Sequence, residues 1–287
     1  MNNLCNICPN NCNVDRDRSL GRCGASNKIY ISKYYLHPFE EPVISGKNGS
    51  GTVFFTGCAL KCVFCQNYEL SRNLRGKEIS VLELAEIFRE LEKMGAHNIN
   101  LVTPSHYAYQ IIEALKIYKP SIPIVYNTHG YESISTLKDL EPYIDVFLPD
   151  LKFKSPTVSK RYTTKSNYFE IASKAVEFMM ESKKTVIKDG LIKSGVIVRH
   201  LILPLSSNDS VEIINWFKEH KKNGAMFSLM GQYTPLGDIK NFKELSRKIT
   251  KSEYDRVLQS LYSLDEDECF IQDLSSASEK YVPSWDY

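Results

Sequence analysis

Hydrophobic and polar residues follow two alternating periods along most of this chain, one typical of strands and one typical of helices. The first apolar run, residues 52–56, reads Thr-Val-Phe-Phe-Thr, and its β-branched and aromatic composition favours a strand. A helix is predicted over residues 81–94, because Leu84, Phe88 and Leu91 recur on one face at helical spacing. The same change of period then repeats toward the C-terminus.

Further strands and helices alternate after this first unit. The predicted strands are residues 99–103, 124–127, 146–148, 196–203 and 225–230, with a last short strand at residues 269–271. The helices between them are predicted within residues 108–120, over residues 133–140, 168–180 and 211–220, and from residue 250 onward. Six β/α units in order predict a parallel sheet with right-handed crossovers. Because a closed barrel needs eight units, we expect an α/β fold, a partial (β/α)6 TIM-like barrel.

Composition narrows the class of protein. The chain has 287 residues with 36 basic and 34 acidic side chains, a net charge of +2, which gives no support to nucleic acid as a main partner. No apolar run reaches the length of a membrane span, and the N-terminus lacks the features of a secretory signal. We therefore expect a cytoplasmic protein with no membrane partner. Eight cysteines in such a protein favour metal ligation over disulfides.

Four cysteines form an N-terminal cluster with the spacing Cys-x2-Cys-x3-Cys-x10-Cys. They are Cys5, Cys8, Cys12 and Cys23. Four thiolates make a complete tetrahedral set, and the polar segment between them would not fold without such a staple. We predict a second metal centre here, either zinc or an iron–sulfur cluster.

The residues after this cluster carry turn signals. Glycine, proline and serine crowd between residues 25 and 51, which predicts a connector with a flexible tip. We therefore assign residues 1–51 to a small N-terminal metal-binding knot with its connector. Residues 52–287 are assigned to the partial barrel.

Three more cysteines follow the first predicted strand at the spacing Cys-x3-Cys-x2-Cys. They are Cys58, Cys62 and Cys65. Three thiolates can hold three irons of a four-iron cluster and leave the fourth iron open to a small ligand, where full ligation would take four cysteines. An open metal position is what catalysis needs. A zinc knuckle or a buried cysteine trio is the alternative, but zinc sites usually show four ligands in paired spacings.

The loop around these cysteines resembles the signature of radical S-adenosylmethionine (SAM) enzymes, with the aromatic Phe64 before the third cysteine. The segment Cys65-Gln66-Asn67 resembles activating enzymes of the pyruvate formate-lyase type. Within that superfamily the chain looks most similar to the pyruvate formate-lyase-activating-like branch with an N-terminal cysteine cluster. The resemblance covers the chain from about residue 52 to the end. It implies a [4Fe–4S] cluster at the three cysteines and SAM as second cofactor, cleaved reductively to a 5′-deoxyadenosyl radical that abstracts hydrogen.

Polar residues mark the carboxyl ends of the predicted strands, where parallel β/α barrels place their active sites. These candidates for SAM binding are Thr103, Ser105, Asn127, Thr128, Asp150, Lys152, His200 and Gln232. In the family the amino and carboxylate groups of SAM chelate the open iron. Lys152 or His200 could supply a cation for the remaining carboxylate charge, and we predict catalytic roles for Lys152, Asp150 and His200.

Two of these strand ends resemble family motifs and one departs from them. Asp150-x-Lys152 resembles the Asp-x-Lys motif of pyruvate formate-lyase-activating enzymes, and Asn127-Thr128 resembles their Asp-Thr pair. There the two motifs share a monovalent cation and help bind SAM; here asparagine removes one charge from such a site. The family's Gly-Gly-Glu is replaced by Val-Thr-Pro-Ser at residues 102–105. Thr103 could accept the SAM amino hydrogen bond through its hydroxyl or its backbone carbonyl.

These features predict a radical SAM oxidoreductase that abstracts hydrogen from a glycine of a partner protein, a glycyl radical enzyme. An electron donor such as flavodoxin or ferredoxin would be a second partner. Radical modification of a small molecule or of a protein side chain is the alternative. A non-catalytic iron–sulfur electron-transfer protein is an alternative of another class, which two cysteine clusters fit but polar strand ends do not.

Overall fold

A computed structural model of the protein describes residues 4–262 and 269–274. Its strands are β1 (Ile29–His37), β2 (Ser50–Phe55), β3 (Lys77–Ile79), β4 (Ile99–Val102), β5 (Ile124–Thr128), β6 (Val146–Pro149), β7 (Val186–Lys188), β8 (Leu191–Leu201), β9 (Met226–Met230) and β10 (Cys269–Ile271). Its α-helices are α1 (Pro42–Ser45), α2 (Tyr68–Ser71), α3 (Val81–Lys93), α4 (Ala108–Ile117), α5 (Ile134–Leu140), α6 (Pro156–Thr163), α7 (Tyr168–Ser182), α8 (Ser207–His220) and α9 (Lys251–Gln259).

The strands form one largely parallel sheet that follows the chain order. Its order is β10-β9-β8-β6-β5-β4-β2-β1-β3, with β7 paired to β8. Every neighbouring pair from β2 to β10 is parallel. Among the described residues β10 pairs with β9 and lies at one edge, so the sheet is not closed there. This confirms the predicted partial (β/α)6 barrel.

The helices cover the outside of the sheet with the apolar faces that the sequence predicted. In α3, the side chains of Leu84, Phe88 and Leu91 are fully buried. The capping box before this helix is present, because Ser80 accepts from the N–H of Glu83 and Glu83 reaches back to the N-cap. No helix in the described ranges combines the length and the apolar character that crossing a membrane requires.

Residues 25–51, predicted as a connector with a flexible tip, contain regular structure, so that prediction is wrong. β1 pairs antiparallel with β2 and extends the sheet. After β1 the chain turns into α1, whose Ile44 is fully buried inside the barrel. Ile44 packs against side chains from the interior of four strands, which are Val125, Val146, Leu148, Ile197 and Met226. The segment therefore closes the barrel at the N-terminal ends of its strands, while the functional division at residue 51 stays a prediction.

The N-terminal segment of residues 4–28 packs against the barrel. Arg16 is buried, and its Nη1 donates to the carbonyl oxygen of His106 at 2.6 Å. Asn10 donates from Nδ2 to the carbonyl oxygen of Ala59 at 2.9 Å. These bonds hold the N-terminal cysteines beside the loop that carries the other three.

Candidate active site

A cavity of about 210 Å³ opens at the carboxyl ends of the parallel strands. The predicted site residues that line it are Cys58, Cys62, Cys65, Thr103, Asn127, Thr128, Asp150, Lys152 and Gln232. Residues far apart in the chain meet here because parallel strands end at a common edge. The structure therefore brings most of the predicted site to one mouth.

A close backbone approach fixes the start of the cysteine loop. Gly57 has a φ of 87°, a conformation that favours glycine. A Cβ atom there would lie 3.0 Å from the carbonyl oxygen of Cys23 and 3.2 Å from Nε2 of His106. The backbone N–H of Cys58 donates to the same Cys23 carbonyl at 3.1 Å. The loop therefore needs a glycine at this position and is tied directly to the N-terminal segment.

The three thiols of the loop share one environment. Cys58 and Cys62 are buried, and Cys65 is partly exposed. Burial raises the pKa of Cys58 to about 11. Burial also raises the pKa of Cys62, and the charges of the other two cysteines add to it while Lys152 opposes it. Such thiols ionise when a positive metal centre offsets their burial, so three sulfurs facing one cavity fit an iron–sulfur cluster with one iron left open.

Two cations flank Asp150 beside this loop. Lys152 donates from Nζ to Oδ2 of Asp150 at 2.6 Å, and Arg199 donates from Nε to Oδ1 at 2.9 Å. Burial acts to raise the pKa of Asp150, but the charges of Arg199 and Lys152 outweigh it, and the pKa lies below its usual value. Asp150 therefore stays ionised. Because an ammonium has three donors, Lys152 can also bind a ligand of the cavity.

Arg199 extends this network to Glu40, a residue that the sequence analysis did not select. Its Nη1 donates to Oε2 of Glu40 at 3.1 Å, and its Nη2 donates to Oδ1 of Asn127 at 2.6 Å. Asn100 donates from Nδ2 to Oε1 of Glu40 at 3.0 Å. The oxygen of Asn127 is thus engaged by a guanidinium. Glu40 enters the barrel interior from the turn between β1 and α1, and two adjacent acidic residues before a proline were the signal for it.

His129 lines the cavity and carries a buried hydrogen-bond donor. Its Nδ1 accepts from the backbone N–H of Tyr131 at 3.1 Å, which places the proton of the neutral ring on Nε2. Burial lowers the pKa of His129 to about 4, so the ring is neutral at pH 7. Nε2 has no partner among the described residues, although the side chain lines the cavity. The sequence analysis did not select His129.

Thr103 occupies a backbone conformation that β-branched residues rarely adopt. Its φ is 57°, and its backbone N–H donates to the carbonyl oxygen of Asn127 at 2.9 Å. Left-handed backbone at a β-branched residue is strained, and such strain persists only where the surrounding structure holds it. Thr103 lines the cavity at the strand end where the family carries Gly-Gly-Glu.

Two predicted site residues do not reach the cavity, and we correct both predictions. Neighbouring side chains on β8 point to opposite faces, so Arg199 faces inward and His200 outward. The ring nitrogens of His200 lie 2.7 Å from the carbonyl oxygen of Leu151 and 2.9 Å from Oγ of Ser210. Ser105 is buried and donates to a glutamate carboxylate behind β5. Both are hydrogen-bonded core residues.

The N-terminal cysteines lie close to one another. Burial raises the pKa of Cys8 to about 12, and the charges of Cys23 and Cys12 contribute. A Cβ atom on Gly21 would lie 3.2 Å from Sγ of Cys23 and 3.9 Å from Sγ of Cys12. Within residues 4–262 and 269–274, no three His, Cys, Asp or Glu side chains are arranged to hold a single metal ion. The second metal centre stays a prediction.

The fold and the cavity together define an α/β-barrel protein with a cysteine-lined cavity at the barrel mouth. Comparison with known families identifies it further, because the model of the Radical SAM superfamily matches residues 52–245. The match covers more than half of the chain, and the chain belongs to the radical SAM superfamily. This family assignment implies a [4Fe–4S] cluster and SAM as cofactors.

Similar proteins agree with this assignment. An uncharacterized protein from Methanocaldococcus jannaschii is 30% identical over 272 residues, covering 91% of this chain and 75% of that protein. Streptococcus suis SuiB bound to SAM superposes with a TM-score of 0.52 at 12% identity, covering 78% of this chain and 50% of SuiB. SuiB bound to precursor peptide SuiA gives 0.51 at 13%, with coverages of 77% and 48%. Methylornithine synthase gives 0.50 at 12%, with coverages of 75% and 60%.

This chain spans about half the length of the SuiB structures that it matches. At such low identity the structural likeness shows the fold alone. The substrates and partners of those proteins therefore do not transfer as findings.

Proposed function

We propose that this radical SAM enzyme abstracts a hydrogen atom from a glycine of a partner protein, as an activating enzyme of a glycyl radical enzyme does. The observation that carries the proposal is the opening beside β10. Within residues 4–262 and 269–274 the sheet is not closed there, and a second cavity, lined by residues 38–42 and by residues around β10, adjoins the cysteine cavity. A closed barrel is filled by side chains, whereas this opening offers an extended polypeptide a lateral path to the radical site.

The residues of this chain that would hold the cofactors already face one another. Cys58, Cys62 and Cys65 would bind three irons of the cluster. The Lys152 ammonium would neutralise the SAM carboxylate, and the Nε2 donor of His129 would meet an acceptor in the same cavity. A cluster bound and reduced here would supply the one-electron chemistry that cleaves SAM reductively.

A structurally similar protein supports access by a polypeptide. SuiB, which shares this fold, has been solved bound to precursor peptide SuiA. The motifs Cys65-Gln66-Asn67 and Asp150-x-Lys152 favour the activating-enzyme type among such proteins. The electron must come from a one-electron donor such as flavodoxin or ferredoxin.

The cysteines of the N-terminal segment are proposed to hold a second centre, zinc or iron–sulfur, separate from the SAM site. Metal analysis of a Cys58→Ala/Cys62→Ala/Cys65→Ala variant tests this. The folded variant should retain zinc, or about four irons for a cubane. Absence of both metals from the folded variant would contradict the proposal.

Electron paramagnetic resonance tests the choice of substrate. Reduced enzyme, SAM and a candidate glycyl radical protein are mixed anaerobically, and the partner is then separated and measured. A persistent glycyl doublet in the partner, absent when its target glycine is changed to alanine, supports the proposal. Steady 5′-deoxyadenosine formation with a small substrate, and no protein radical with any partner, would contradict it.

The alternative, modification of a small molecule or of a protein side chain, is favoured by one observation. A backbone glycine is uncharged, whereas the interior of the barrel carries Glu40, Asp150 and Arg199 in one buried network. Such a network suits a substrate with a charged group beside the reacting carbon.

A further inference from the structure

The second cavity has a volume of about 450 Å³ and lies where the sheet is open. Residues 38–42 bound it on one side, and β10 with the residues that follow it bounds it on the other. Several side chains line both cavities, namely Phe39, Glu40, Glu41, Gln232 and Gln272. A ligand seated in the second cavity therefore has a continuous path to the cysteine cavity.

Two oxygen atoms on the wall of the second cavity lack a hydrogen-bond partner within the part of the chain that the structure describes. They are Oε2 of Glu41 and Oε1 of Gln272. The hydroxyl of Ser228 on the same wall lies beside the Glu41 carboxylate and acts to lower its pKa. Glu41 is 5% exposed, so water has little access to it. An unsatisfied buried acceptor is costly, and a charged one more so. Two such atoms on one wall indicate a ligand that donates hydrogen bonds.

The charges around the two cavities point to the sign of that ligand. Four carboxylates line them, those of Glu40, Glu41, Asp150 and Asp273. The lining cations are Arg199, which donates to Glu40 and Asp150, and Lys152, which donates to Asp150. Glu41 receives a hydrogen bond from neither cation. Burial raises the pKa of Glu41, with the charge of Arg199 opposing and that of Glu40 adding to it. A cationic ligand beside Glu41 would favour its ionised form.

We propose that the second cavity binds a cationic group of the substrate, an ammonium or a guanidinium, through Glu41 and Gln272. Both cations carry only N–H donors, which match a carboxylate and an amide oxygen. The volume accommodates an alkyl chain that ends in the cation. In a polypeptide substrate this group is a lysine or arginine side chain near the target glycine. In a small substrate it is the amine or guanidine of the molecule.

This inference rests on the proposed function, which places the reaction in the cysteine cavity. A substrate whose cation is held at Glu41 would place the neighbouring part of its chain in that cavity. Binding is tested without turnover. Anaerobically reconstituted protein with SAM is titrated with n-butylammonium chloride, n-butylguanidinium chloride or n-butanol in an isothermal calorimeter. We expect saturable binding of at least one cation and none of butanol. The cation that binds with higher affinity indicates whether the natural substrate carries an amine or a guanidine.

Glu41→Gln is the decisive variant, because it keeps the shape of the side chain and removes the charge. It should weaken cation binding by about tenfold or more, the effect of losing a charge-assisted hydrogen bond. Glu113→Gln, on the exposed face of α4, is the matched control and should bind as the wild type does. Thermal unfolding checks that Glu41→Gln and Glu113→Gln are both folded.

Several results would overturn the inference. They are equal binding of butanol, no saturable binding of either cation, unchanged affinity in folded Glu41→Gln, and displacement of the alkyl cation by equimolar potassium chloride. A failure of the proposed function has a different signature. In that case the cations bind as expected, yet no partner protein acquires a glycyl radical.

Discussion

The backbone N–H of Cys58 donates to the carbonyl oxygen of Cys23 at 3.1 Å, so the two cysteine clusters are joined by one peptide hydrogen bond. Cys23 ends the N-terminal cluster and Cys58 begins the SAM-type cluster. A shift of either loop must therefore move a ligand of the other. The N-terminal segment therefore supports the geometry of the loop that carries Cys58, Cys62 and Cys65.

A substitution at Gly57 tests this coupling. Gly57→Ala places a methyl group 3.0 Å from the Cys23 carbonyl oxygen at a φ of 87°. The left-handed conformation alone costs an alanine about 1–2 kcal/mol, and the contact adds to that. Gly190→Ala is the control, because its φ is 74° and a Cβ there meets nothing within 4 Å. Chemical denaturation should show a larger loss for Gly57→Ala, and SAM cleavage should fall only in that variant. Equal losses and unchanged cleavage would show that the two loops are not coupled.

Thr103 is predicted to lower the free energy of unfolding while contributing to SAM affinity. Thr103→Gly relieves the strain of a φ of 57° and should raise the free energy of unfolding by up to about 1 kcal/mol. Thr164→Gly, at the exposed end of α6 with a φ of 67°, should gain stability with no change in SAM affinity.

Thr103→Ala separates the two ways in which this residue could hold the SAM amino group. Weaker SAM binding by calorimetry assigns the hydrogen bond to the hydroxyl, and unchanged binding assigns it to the backbone carbonyl. If the affinity of both Thr103→Ala and Thr103→Gly equals that of the wild type and Thr103→Gly gains no stability, the account of this position is wrong.

Lys152 is predicted to contribute to SAM affinity. Lys152→Met removes the cation but leaves Asp150 paired with Arg199, so the site should keep its shape. Losing a charged hydrogen bond costs on the order of 1.5–3 kcal/mol, which weakens SAM binding about tenfold to a hundredfold. Lys183→Met is the matched control, because Lys183 is 16% exposed against 18% for Lys152 and pairs with Glu141. Equal SAM affinity in both variants would place Lys152 outside the SAM site.

His200 is predicted to stabilise the protein without touching SAM. Burial lowers its pKa to about 4, from 6.5 in the unfolded chain. The unfolded state therefore takes up the proton first, and the stability that the neutral ring contributes is present above pH 6.5 and lost as the pH falls toward 4. The shift corresponds to a loss of up to about 3 kcal/mol.

A His200→Leu variant isolates this titration. The difference in unfolding free energy between wild type and variant, largest at pH 7.5, should shrink by up to about 3 kcal/mol by pH 4, with SAM affinity unchanged at neutral pH. A constant difference across this range, or a large loss of SAM affinity, would restore His200 to the candidate site.

The fold was largely predictable because its parallel strands and covering helices carry their periods locally. Ser80 and Glu83 mark the start of α3 in sequence and form the capping box in the structure. Asn167 stands at the position of a capping residue before α7, but its side chain makes no capping bond and instead accepts from the hydroxyl of Tyr131. The same residue type can cap a helix or bind a distant side chain, and only tertiary contacts decide between them.

β1 was missed although its sequence, Ile-Tyr-Ile-Ser-Lys-Tyr-Tyr-Leu-His, favours a strand. The proline and glycines that follow it are typical of loops, and they led to the prediction of a connector over residues 25–51. β8 begins at Leu191, before the predicted residue 196, because it forms a hairpin with β7.

The candidate site was predictable where the chemistry is local and unpredictable where it depends on packing. Three cysteines within one short loop indicate their ligand role in the sequence. Glu40 reads as a surface residue until α1 closes the barrel and turns its carboxylate toward Arg199. His200 and Arg199 are neighbours on β8. Because adjacent side chains of a strand point to opposite faces, only Arg199 reaches the cavity.

Reductive SAM cleavage tests the central claim most directly. Wild-type protein and a Cys58→Ala/Cys62→Ala/Cys65→Ala variant are reconstituted anaerobically with iron and sulfide, reduced with dithionite and given SAM, and 5′-deoxyadenosine is measured by chromatography. The account predicts 5′-deoxyadenosine and methionine from the wild type and none from the variant, with circular dichroism showing both to be folded. Cleavage by the folded triple variant, or none by wild type that carries its cluster, would contradict it.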